Sequence, residues 1–89
     1  MGADELTALV FRILRVDLLS VGPEFTEDSN MTEAGLDSLA LAQLLLEIEQ
    51  ATGRWVDEAL LTRENLATAR TFARAIHAAY FAAQAAGSP

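Results

Sequence analysis

Ser38 sits in the run Gly35-Leu36-Asp37-Ser38-Leu39, where a polar, turn-rich stretch gives way to an apolar one. Asp37 is the expected N-cap of the helix that follows, because a short carboxylate accepts the free N–H groups of a first turn. Ser38 then opens that helix, where unpaired N–H groups and a partial positive charge favour an anion. A phosphate joined to the Ser38 hydroxyl would be well placed there. Asp37 could help a modifying enzyme hold magnesium or orient the hydroxyl, and Leu36 and Leu39 flank the position with apolar surface. In isolation the same residues describe an ordinary cap and a first-turn serine.

Other chemistries fail on residue types. A Ser–His–Asp hydrolase needs serine, imidazole and carboxylate to converge. The single histidine is His77, on the last predicted helix, and no Gly-x-Ser-x-Gly turn is present. A domain this small also has little room for a substrate pocket. The stretch Asp28-Ser29-Asn30-Met31-Thr32 begins like an EF-hand loop. Its sixth position is Glu33 where glycine is needed, and its twelfth is Leu39 where a bidentate glutamate is needed. The chain has no cysteine, hence no disulfide and no thiolate metal site. Any thiol chemistry must come from an added group. The residues predict neither a metal site nor an enzyme.

The 89 residues predict one domain, 1–89, with an ordered core over about 4–86. Apolar residues make up 52% of the chain, more than a disordered segment carries. No basic region precedes a long apolar run, and no stretch reaches the roughly 18 apolar residues of a membrane span. The expectation is a soluble, cytoplasmic protein away from membranes. Net charge is −7, which argues against nucleic acid as a partner. Residues 24–58 hold most of the acids and one base, Arg54, whereas the C-terminal part carries Arg63, Arg70 and Arg74. An acidic middle suits docking to basic protein surfaces, and it also keeps a small protein soluble.

The elements that must position Ser38 all read as helical. The first spans about 4–20, capped by Asp4, with Leu6, Leu9, Val10, Ile13 and Leu14 on one face and Gly22-Pro23 as the stop. Residues 24–37 form a long loop pinned to the core by Phe25, Met31 and Leu36; a loop of that length in a small domain is usually functional. The second helix spans about 38–52, from Asp37 to the terminator Gly53. It has more apolar surface than one packed face requires, so part of it is either enclosed or a docking surface. Trp55 and Val56 are expected to anchor the next segment, and Leu60 to Leu66 to contain a short helical turn. The last helix spans about 69–86, capped by Thr68, with Phe72, Ala73, Ile76, Tyr80 and Ala83 inward and Gly87-Ser88-Pro89 as a tail. The fold class is all-α: a small antiparallel four-helix bundle, three helices long and one short.

The run Ala34-Gly35-Leu36-Asp37-Ser38-Leu39 resembles the attachment motif of acyl and peptidyl carrier proteins, and the resemblance extends over about residues 5–82. It implies that Ser38 bears 4′-phosphopantetheine through a phosphodiester, and that the arm's thiol carries an acyl or aminoacyl thioester. The stretch Leu61-Thr62-Arg63-Glu64-Asn65-Leu66-Ala67-Thr68 also resembles what precedes the last helix in that family. By the same resemblance the second helix is the recognition helix. Leu36, Asp37, Leu39, Gln43, Leu46 and Glu47 would meet partners, while Leu41, Leu44, Leu45 and Ile48 would face the core. The implied partners are a phosphopantetheinyl transferase and an acyltransferase, ketosynthase or adenylating ligase, acting on a monomer with no catalysis of its own. Two departures matter: Ala34 replaces a bulky leucine, and the second helix has only Glu47 and Glu49 as acids. They point away from primary fatty-acid synthesis, toward a free-standing carrier in polyketide or other antibiotic-type biosynthesis. The alternatives are a discrete aminoacyl carrier of nonribosomal peptide type and a non-carrier helical interaction domain.

Overall fold

Helix α1 (Ala3–Arg12) opens the computed structural model, which describes residues 1–82. Its N-cap is Gly2, not Asp4: the Gly2 N–H donates to the Glu5 carboxylate at 3.0 Å, so the reach of Glu5 sets the start one residue early. Asp4 lies in the first turn, where its charge still complements the helix dipole. Leu6, Leu9, Val10, Ile13 and Leu14 are all buried, as their spacing predicts. The helix then widens into π-type turns over Ile13–Leu18, and the Leu19 N–H donates five residues back to the Leu14 carbonyl at 2.8 Å. The chain leaves helix at Leu19, before Gly22-Pro23, because Leu18, Leu19 and Val21 all turn onto the core.

Residues 19–37 cross the molecule as a loop. Phe25 and Met31 are buried, and the Phe25 ring stacks on Phe11 at 5.5 Å, 8° from parallel. The loop is also tied to the start of the last helix. The Met31 N–H donates to the Ala67 carbonyl (2.9 Å), the Arg70 N–H to the Glu27 carbonyl (3.0 Å), and the Arg70 guanidinium pairs with Asp28 at 2.8 Å.

Helix α2 (Ser38–Thr52) has the predicted bounds. The Asp37 carboxylate accepts the Ala40 N–H at 2.8 Å, and Gly53 ends the helix at φ +76°, a conformation an L side chain strains to adopt. Ala40, Leu44, Leu45 and Ile48 are buried, and Leu41 packs half-buried against the core. The next segment departs from expectation. Val56 alone is the anchor, and Trp55 is 50% exposed. Regular helix in this segment is confined to a 3-10 turn, Glu58–Leu60, so the described residues form three helices with a short turn where the short fourth helix is expected, an arrangement consistent with the all-α bundle. The reason is local. Thr62 Oγ1 accepts the Asn65 N–H (3.1 Å) and Asn65 Nδ2 donates to the Leu60 carbonyl (2.9 Å), side-chain bonds that compete with a helix ladder.

Helix α3 (Ala69–Ile76) starts at Thr68, whose hydroxyl accepts the Thr71 N–H at 3.0 Å. It buries Ala69, Phe72, Ala73 and Ile76, and packs chiefly on α1. A π-type continuation, His77–Phe81, moves the inner position from Tyr80 to Phe81. The wider turn takes five residues instead of four, so Tyr80 is left half-buried at the edge. Ala83 and the predicted end over 83–86 lie outside the described residues. Among those residues there is no strand, and no helix is long and apolar enough to cross a membrane.

Candidate functional site

Gly35 makes the turn that delivers the chain to α2. Its φ is +113°, and a Cβ there would meet nothing closer than Leu19 Cδ2 at 3.8 Å, so backbone conformation, not space, demands glycine. Two bonds close the turn: the Gly35 N–H to the Thr32 carbonyl (3.1 Å) and the Leu36 N–H to the Met31 carbonyl (2.9 Å). Leu36 is then half-buried against the core, and Asp37 is held by its cap bond. Ser38 and Leu39 project outward, Leu39 at 69% exposure.

Ser38 is exposed, and its hydroxyl makes no hydrogen bond among the described residues. The Asp37 side chain takes the Ala40 N–H, and the N–H groups of Ser38 and Leu39 have no acceptor. A phosphate on Ser38 Oγ fits this arrangement. It would meet two free N–H donors at the positive end of a fifteen-residue helix, with open solvent for whatever extends beyond it. No group of three or more histidine, cysteine or carboxylate side chains converges among the described residues. His77 lies half-buried after α3.

The other residues expected to meet partners divide. Leu39, Gln43 and Leu46 follow helical spacing along one stripe of α2 and are all exposed, Leu46 by half. Glu47 points elsewhere. It is half-buried, in a groove with Arg12, Asp17 and Gln50, and faces Asp17 after α1. A hydrogen bond with the Asp17 carboxyl, helped by burial and by the like charge and opposed by Arg12, holds the Glu47 carboxyl above its ordinary range. Trp55 is the exposed residue that sequence reasoning placed in the core. Its aromatic bulk suggests burial, and only the neighbouring Val56 satisfies that need.

A family model described as the phosphopantetheine attachment site matches residues 4–76, with Ser38 inside the match. The chain belongs to this family. Its members are carrier domains that hold covalently attached 4′-phosphopantetheine, so the chain is a carrier protein of phosphopantetheine type. No curated protein sequence matches it. Two solved structures share the fold. One is the carrier from Agrobacterium tumefaciens, solved with an engineered Bradyrhizobium japonicum glycine:[carrier protein] ligase and ATP. It is 25% identical over 82% of this chain and 97% of that chain, with a TM-score of 0.67. The other is a glycylated carrier protein with the Bradyrhizobium japonicum ligase. It is 23% identical over 82% of this chain and 96% of that chain, with a TM-score of 0.61, and it bears on the fold alone.

Proposed function

We propose that Ser38 is the attachment residue and that this single-domain carrier, working as a monomer in the cytoplasm, receives an aminoacyl group from an adenylating ligase. The exposed, unbonded Ser38 hydroxyl at the head of α2 carries the reading. A phosphopantetheinyl transferase joins the arm there. The hydroxyl oxygen forms a new bond to phosphorus, its proton passes to a base of the transferase, and the adenosine bisphosphate half of coenzyme A leaves. When attached, the arm supplies the thiol that this cysteine-free chain lacks, and holds cargo as a thioester. The chain's own residues orient the site: Gly35 turns the backbone, Asp37 fixes the first turn, and Leu36 ties both to the core.

Aminoacyl cargo is supported by the likeness to a carrier solved with a glycine:[carrier protein] ligase and ATP. Ala34 and the few acids of α2, which point away from primary fatty-acid synthesis, support a second reading. In it the cargo is a polyketide acyl group, passed by an acyltransferase and taken by a ketosynthase. The α2 stripe of Leu39, Gln43 and Leu46, with Leu36 and Asp37 before it, forms the recognition surface in either reading.

Intact mass spectrometry tests the site. Incubation with coenzyme A and a phosphopantetheinyl transferase, active on a control carrier, is expected to add the mass of one arm, and Ser38→Ala to add none. An unchanged wild-type mass sinks the carrier reading. Glycine, ATP and the ligase should then add one glycyl group to the loaded chain, whereas failure there together with acceptance of an acyl group from an acyltransferase selects the second reading.

A further inference from the structure

Trp55 is a large apolar side chain left in water on a braced backbone. Tryptophan is highly buried on average, and this one is 50% exposed. The residues around it do not move freely. Val56 is fully buried, the Asp57 N–H donates to Tyr80 Oη at 2.8 Å, and the Arg54 guanidinium lies over the Tyr80 ring at 5.3 Å. An open groove runs beside the indole between Leu45, Val56 and Leu61, edged by Asp57 and Glu58. Both carboxylates are exposed, and neither is in an ion pair among the described residues. Arg54, the nearest base in sequence, is engaged by Tyr80. The Asp57 carboxylate caps the following turn by accepting the Ala59 N–H at 2.8 Å, and the patch combines an aromatic anchor of the type that dominates interfaces with exposed carboxylates outside any ion pair among the described residues.

We propose that Trp55 and the Asp57–Glu58 edge form a second docking surface, taken by a basic, apolar-lined face of the phosphopantetheinyl transferase that loads Ser38. This rests on Ser38 being the attachment residue. The fifteen residues of α2 separate the two surfaces by roughly 22 Å, within the footprint of a standard protein interface. An enzyme that binds both ends reads the helix by length as well as by its exposed stripe. The acidic edge and the net charge of −7 make a basic face the complementary one.

Trp55 is the chain's one tryptophan, so 5-fluorotryptophan labels it alone. The 19F resonance of the labelled chain is expected to shift or broaden when unlabelled transferase is added. Trp55→Ala should raise the transferase KM for the chain about tenfold with kcat unchanged, Glu58→Arg should raise it in the same sense, and added salt should weaken the wild type. Circular dichroism establishes that the variants fold, and the wild-type 19F signal stands as the test if one does not. A resonance unmoved by transferase while loading proceeds, or a wild-type KM in folded Trp55→Ala, overturns the proposal and leaves the Ser38 reading intact. A resonance that moves on attachment of arm and glycyl group, and not on mixing with transferase, assigns the groove to the cargo and also overturns it. If Ser38 accepts no arm, the functional reading fails and this surface fails with it.

Discussion

Gly35 is the residue on which delivery of Ser38 depends. At φ +113° an alanine carries backbone strain even though the space beyond it is free. Gly35→Ala is expected to cost about 1–2 kcal/mol in urea unfolding and to slow arm attachment at Ser38, since relief of the strain rotates the loop that presents it. An equal rate of attachment would show that the transferase reshapes the loop itself. Residues such as this one were legible in the sequence because each solves a local problem. Asp37, Gly53 and Thr68 sit at a cap or a terminator, and their chemistry names their place. Asp4 misled because two acids in one first turn compete, and only side-chain reach decides for Glu5.

At the scale of elements, the seam between α1 and α2 contains a conflict. Glu47 and Asp17 press two carboxyl groups together, and the Glu47 carboxyl is held above its ordinary value by that bond first and by burial second. A raised folded value means that the folded chain binds the proton more tightly than the unfolded one. The contribution is therefore fully present below the unfolded value near 4.5 and is lost as pH rises through the folded value. Glu47→Gln should stabilise the chain by roughly 0.5 kcal/mol at neutral pH, with the gain disappearing below that unfolded value. Denaturant melts at the two pH values check this, and an equal effect at both would exclude the pair as its source. Sequence reasoning could not see the pairing, because it joins residues on different helices. The same holds for Phe81, whose inward place depends on a wide turn that four-residue counting cannot anticipate.

At the scale of the whole molecule, the Asp28–Arg70 pair joins residues 42 apart and fastens the loop before Ser38 to the last helix. The hydrogen bond from Arg70 holds the Asp28 carboxyl below its ordinary 3.8, against desolvation as the next-largest effect, with the Arg70 and Arg74 charges adding to the lowering. A depressed folded value means that the contribution is present above 3.8 and lost as pH falls through the folded value. In acid titration Arg70→Ala should lose little stability below that range and a small, salt-sensitive amount above it, because both partners are solvent-exposed. A salt-independent loss would instead indicate packing by the arginine stem. The all-helical class and the buried faces of all three helices were legible, since periodicity reports burial directly. The place of the short fourth element was not, because polar side chains over Leu60–Asn65 bond the backbone and confine the helical turn to Glu58–Leu60.

The isolation of Ser38 has a thermodynamic corollary. The Ser38 hydroxyl makes no hydrogen bond among the described residues that attachment must break, and the arm's phosphate gains the positive end of α2, so the arm favours the fold slightly. Cargo held beyond it in solvent leaves the folding equilibrium where it was. The melting curve of such a carrier is blind to its freight. Sorting one cargo from another, and the order in which enzymes act, must then be written into the enzymes and not into the free energy of the carrier.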